Sequence, residues 1–326
     1  MMKKSFNDQN SVLSFWENFQ LETLNQKICR MILGVHKKSS RLAVLGELGR
    51  FPLFIKGLCH ALKYQAHLCK IEGNGSLVGN CVKDMKLINS NNLNKWWGRM
   101  EKIKQNLGIK YSTFSKTDAI GNLIKKQIRG KYETFWLSKI NEIKIGSDNL
   151  NHNKLRFYST LKGCFKKESY VDLVPNRSQQ ADLTRLRISS SRLAVEVQRY
   201  KRPTVPENER YCMYCWPSGP DNNIEGYIDN EQHILINCNT FTLERNCLFA
   251  RIETLKAGFQ ALPPSSKTAT LLCPTSVVTA KLVNKYIQLI FKIRKELDEG
   301  VPALNLGFGQ GTVYPNIFFD TDNEVN

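Results

Sequence analysis

The chain has 326 residues, enough for two or three separately packed cores, with ten cysteines and a formal net charge of +18. No uninterrupted apolar run approaches the roughly 18 residues of a membrane span, and polar residues follow Lys3-Lys4 where a secretory signal needs an apolar stretch. A membrane protein and a secreted disulfide framework are both disfavoured; the expectation is nucleus or cytoplasm, with most thiols free.

The positive charge is unevenly spread. Residues 1–94 sum to +7, 95–210 to +14 and 211–326 to −3. A basic block of this kind suits a polyanion such as RNA or DNA, because each neutralised phosphate releases counterions, although basic surface also serves solubility alone.

In chain order, apolar residues from Leu13 through Phe19, Leu24, Ile28 and Ile32 recur at three- and four-residue steps and predict an amphipathic helix stopped by Gly34. A short helix follows through Leu42 to Leu48, then a longer one opening at Pro52 and carrying Phe54, Ile55, Leu58 and Leu62. Residues 12–75 are read as one helical unit. Residues 90–205 are read as a basic helical region, with one helix near Trp96-Trp97 and another over 118–143. That second helix places Ile124, Ile128, Tyr132 and Trp136 on one side and Lys125, Lys126, Arg129 and Lys131 on the other.

From Lys154 to Arg210, the aromatics Phe157, Tyr158, Phe165, Tyr170 and Tyr200 alternate with Arg156, Lys166, Lys167, Arg185, Arg187, Arg199, Lys201 and Arg202. Aromatic faces stack on unpaired bases while cations reach phosphates; the plainer reading is a packed helical domain. Pro203 to Glu209 reads as a linker, a metal module as 206–260, a last helix within 261–299, and a Gly/Pro-rich flexible tail as 300–326.

The most specific pattern is Cys212-x2-Cys215, seventeen residues, then His233-x4-Cys238. Three thiolates and one imidazole are a ligand set for tetrahedral Zn²⁺, and four protein ligands leave no open position for a catalytic water. His233 and Cys238 would stand about 140° apart on a regular helix, so a turn over Glu231 to Leu235 must break before Cys238. Loop residues Pro217 to Asn223 span the long gap.

Leu33-Gly34-Val35 with Glu47-Leu48-Gly49-Arg50-Phe51-Pro52-Leu53, then Leu155-Arg156-Phe157-Tyr158, Leu186-Arg187-Ile188, Arg199-Tyr200 and Arg210-Tyr211-Cys212 closed by Glu231-Gln232-His233, are ordered motifs. In that order they resemble the region that follows the polymerase core in non-LTR (LINE-type) retrotransposon reverse transcriptases. The resemblance implies a nucleic-acid-binding appendage to a polymerase domain, with Cys212, Cys215, His233 and Cys238 as its metal ligands.

The chain holds no Asp-Asp pair, so a polymerase of that family is not expected within it. A restriction-like nuclease would need more than Pro220-Asp221 and Glu225-Gly226-Tyr227 offer. The expectation is a mainly helical protein of several small units, stapled by zinc and binding nucleic acid without catalysis. A zinc-stabilised protein-interaction scaffold is the alternative.

Overall fold

Helical periodicity is realised almost throughout the computed structural model, which describes residues 20–72, 74–90, 96–109, 117–145, 155–174, 176–215 and 227–299. The principal helices are α1 (Gln20–Leu33), α2 (Arg41–Leu48), α3 (Leu53–Ile71), α4 (Leu77–Ser90), α5 (Trp96–Asn106), α6 (Thr117–Ile145), α7 (Arg177–Arg187), α8 (Thr242–Leu255), α9 (Pro264–Leu272) and α10 (Val277–Asp298). Among the described residues the β structure amounts to one antiparallel bridge, Tyr211 with Ile228. The expected tail over 300–326 lies outside the described residues.

The fold groups Met1–Ile28 with Gly49–Lys139, and Cys29–Leu48 with Ile140–Asn326. This differs from the division expected along the chain. Residues 206–260 are not a module set apart by a linker: Cys212, Cys215 and Cys238 share one apolar core with Leu186, Phe241, Leu272, Tyr286 and Ile290. Arg210 turns inward and donates to the carbonyls of Val195 (2.8 Å) and Val205 (2.7 Å), which holds the supposed linker down.

In the first unit, α3, α4 and α5 pack around Leu68, Val82 and Trp97. Helix α4 fills a span that carries no strong periodic signal. The face of α1 is the reverse of the expected one: Leu21, Leu24, Ile28 and Met31 are exposed while Glu22, Asn25 and Gln26 are buried. Glu22 accepts from the Leu53 backbone N–H at 2.7 Å, so its charge satisfies the open end of α3.

In the second unit, Gly34 closes α1 at φ 62°, with the Val35 N–H reaching the Arg30 carbonyl at 3.1 Å. A Cβ at Gly34 would stand 2.6 Å from Cβ of Ala181, so both the turn and the close approach require glycine. Asn176 caps α7 by accepting from the N–H groups of Ser178 and Gln179. Pro264 opens α9 at its first turn. Helix α10 buries Leu282, Tyr286, Leu289 and Ile293 against α7, α8 and α9.

This core also holds charge, arranged in neutral groups. Arg187, fully buried, grips Glu47 with two bonds (2.8 and 3.1 Å) and Glu168 with a third (2.7 Å); Lys162 completes the balance at 2.5 Å from Glu168. Arg156 binds Glu231 twice (2.9 and 2.7 Å) and Glu196 once (3.0 Å), and Arg199 pairs with Glu196 at 3.3 Å. Burial raises the Glu47 carboxyl, but the Arg187 guanidinium outweighs it and leaves Glu47 below its ordinary value.

A carboxyl held low in the folded state contributes stability above its unfolded pKa of about 4.3, and that stability is lost as pH falls through the folded value. Glu47→Gln should cost about 3–5 kcal/mol at neutral pH, because Arg187 is left underpaired in the core. Urea titrations from pH 7 downward should show a shallower acid-side loss in the variant than in the parent chain.

Candidate metal centre and basic surface

Three local elements converge on the metal candidate. The antiparallel bridge places Cys212 through paired backbone bonds, Cys212 N–H to the Tyr227 carbonyl (2.8 Å) and Asp229 N–H to the Arg210 carbonyl (2.9 Å). The turn after Cys212 brings round Cys215, also buried. His233 opens a wide turn over His233–Asn237, closed by the Cys238 N–H donating to the His233 carbonyl at 2.7 Å. That bond spans five residues rather than four and swings Cys238 back over His233. The turn breaks before Cys238, which is extended, as expected; the added feature is the widening of the turn itself.

The four ligand atoms lie within 4.8 Å of one another, close enough for one metal ion. Cys212 Sγ is 4.0 Å from Cys238 Sγ, and Cys215 Sγ is 3.3 Å from His233 Nε2. The thiols are electrostatically crowded. Bonds from the Cys212 and Cys215 thiols hold Cys238 down at about 3, whereas Cys212 and Cys238 push Cys215 far up. Thiolates packed this tightly repel one another, and negative charge on them calls for a cation.

Supporting residues come from distant parts of the chain. Arg294 on α10 binds Asp229 twice (3.0 and 2.6 Å) and points a third contact at Cys212 Sγ, 3.7 Å away. Its guanidinium lies over the Tyr214 ring at 4.7 Å. Arg245 on α8 donates to the Cys238 carbonyl at 2.6 Å, so α8 buttresses the cluster. The ligand spacing does not reveal Asp229, Arg245 or Arg294. The available signal is a charged residue beside the apolar stripe of α10, next to Ile293, where an arginine must be buried and paired.

The cations expected to meet phosphates separate into two groups. Lys125, Lys126 and Arg129 are exposed on α6, and Lys166, Lys167, Lys201 and Arg202 are exposed in the second unit. Arg185 is exposed but donates twice to the Gly34 carbonyl (3.1 and 2.8 Å). Arg187, Arg156 and Arg199 are corrections to the expected phosphate surface: their guanidiniums face inward and are engaged by carboxylates. Tyr158, Phe165 and Tyr170 are likewise buried and offer no stacking face. The loop holding Pro220-Asp221 and Glu225-Gly226 lies outside the described residues.

Compared with protein-family models, curated proteins and solved structures, the chain matches none. Among the described residues no helix is long and apolar enough to cross a membrane.

Because Arg294 both places Asp229 and lends positive charge to the sulfurs, Arg294→Gln should weaken metal binding about 10- to 100-fold. Competition against a chromophoric chelator measures this. Cys215→Ser, which removes a ligand, should fall below Arg294→Gln in the same assay.

Proposed function

We propose that the chain is a non-catalytic nucleic-acid-binding segment of the kind that follows a retrotransposon reverse transcriptase core, braced by a structural Zn²⁺. The observation that carries the reading is the sorting of charge. Arg156, Arg187, Arg199 and Arg210 of the ordered motifs are spent inside the protein, while Lys125, Lys126, Arg129, Lys166, Lys167, Lys201 and Arg202 remain on the surface. A surface that keeps these cations in water, with Lys167 paired to Asp172, while the motif arginines are neutralised within suits a polyphosphate.

Zinc is supported by the donor set and the separations. With Zn–S near 2.3 Å and Zn–N near 2.0–2.1 Å, a tetrahedron has edges of about 3.5–3.8 Å. The measured 4.0 Å and 3.3 Å bracket that range. When bound, the ion would neutralise the thiolates and tie the 211–228 bridge to the turn that starts α8. It would have no open coordination position, in keeping with a structural role. The reading is of work on RNA or DNA in the nucleus or cytoplasm, beside a polymerase domain.

A second reading, a zinc-stabilised protein-interaction scaffold, is supported by the exposed apolar row Leu21, Leu24, Ile28 and Met31 on α1. Salt titration separates the two. Affinity for RNA or DNA should fall linearly on a log–log plot, and the triple change Lys125→Gln, Lys126→Gln, Arg129→Gln should reduce the slope by roughly 2–3. No binding at low salt would favour the scaffold. Elemental analysis of purified protein should return about one zinc per chain, and none for Cys215→Ser.

A further inference from the structure

We infer that Tyr200, with Lys37, Lys38, Lys201 and Arg202, forms a subsite for one unpaired nucleotide, its base stacked on the phenol ring and its flanking phosphates held by the cations. This rests on the nucleic-acid reading above and narrows it to single strands.

The observation is a juxtaposition of segments that lie some 160 residues apart in the sequence. Lys38 Nζ stands 5.2 Å from the centre of the Tyr200 ring. Tyr158, Phe165 and Tyr170, from the same aromatic-basic stretch, are buried, whereas Tyr200 is 56% exposed. A large aromatic on the surface with an ammonium over its ring and further exposed cations in the adjoining residues is the composition of a stacking platform, since every base offers a π face whatever its sequence.

Both segments are held in place before any ligand arrives. Ser39 Oγ and Ser190 Oγ are 2.7 Å apart, and the Ser39 carbonyl accepts from Arg30 at 3.0 Å, which fixes the turn bearing Lys37 and Lys38. On the other side Arg199 is anchored inward on Glu196, and the Lys201 N–H closes a tight turn on the Gln198 carbonyl at 3.2 Å. With Arg199 turned in, Tyr200, Lys201 and Arg202 are displayed outward. Little ordering remains to be done on binding, which favours affinity.

A duplex hides its base faces in its own stack, so it could use the cations but not the ring. An acidic peptide could use the cations as well, without needing an aromatic. A base arriving on Tyr200 replaces the Lys38 ammonium over the ring and leaves that ammonium beside the phosphate.

The test uses the full chain, a fluorescent 12-nucleotide oligouridine, a blunt RNA hairpin duplex and a decaglutamate peptide, at one fixed salt concentration. Tyr200→Ala should weaken oligouridine binding about 5- to 100-fold, while Tyr200→Phe, which keeps the ring, stays close to the parent chain. Duplex binding should change less than twofold in both variants. Lys38→Gln should lower the single-strand salt slope by about 0.7. Unchanged thermal melting of Tyr200→Ala would assign any loss to the surface. Parent-level binding by Tyr200→Ala overturns the subsite while leaving the broader reading intact. Equal losses for duplex and single strand, or decaglutamate displacing the oligonucleotide at lower concentration than unlabelled oligouridine, also overturn it. Failure of the parent chain to bind any nucleic acid removes both readings.

Discussion

A guanidinium taken out of water costs more than packing returns unless acceptors surround it, and in the second unit carboxylates meet that requirement for Arg187, Arg156, Arg199 and Arg294, backbone carbonyls for Arg210 and Arg245. Glu47 and Glu168 answer Arg187 and Lys162; Glu196 and Glu231 answer Arg156 and Arg199; Asp229 answers Arg294. Each group closes to zero formal charge. The partners are distant in sequence, Glu47 from Arg187 and Arg156 from Glu231, so each group links segments that local propensity would leave independent. Tyr170 and Ser189 take up further lone pairs, with Tyr170 donating to Glu47 at 2.5 Å and Ser189 to Glu231 at 2.9 Å.

The metal candidate hangs on the same framework. Asp229 receives Arg294 and also accepts from the Ala194 N–H at 2.7 Å, so the residue next to the bridge that positions Cys212 is tied to two other segments. Glu231, two residues before His233, is held by Arg156. The ligands therefore inherit their positions from ion pairs as well as from the wide turn. An ion held there would reinforce an arrangement already braced from outside.

Turning those arginines inward changes the meaning of the basic composition. A net charge of +18 describes the sum, yet the cations of the ordered motifs are largely neutralised inside. What faces solvent is mostly lysine, with Arg129, Arg185 and Arg202 among the arginines. Lysine is a flexible, strongly hydrated point charge suited to phosphate without base reading. A lysine-rich surface on which Tyr200 is exposed is a different instrument from an arginine-rich, aromatic-lined groove.

Most helix positions, though not that of α4, were legible along the chain because three- and four-residue periodicity, the stop at Gly34 and the start at Pro52 act locally. The four metal-ligand candidates were legible because coordination chemistry restricts residue type and spacing. Which face of α1 is buried was not, since Glu22 is drawn in by a backbone N–H that exists only once α3 is in place. Nor was the fate of Arg156 and Arg187: an arginine reads the same in a sequence whether it meets phosphate or a buried carboxylate. The carboxylates that claim them lie 75 and 140 residues away, and only the folded chain brings them within reach.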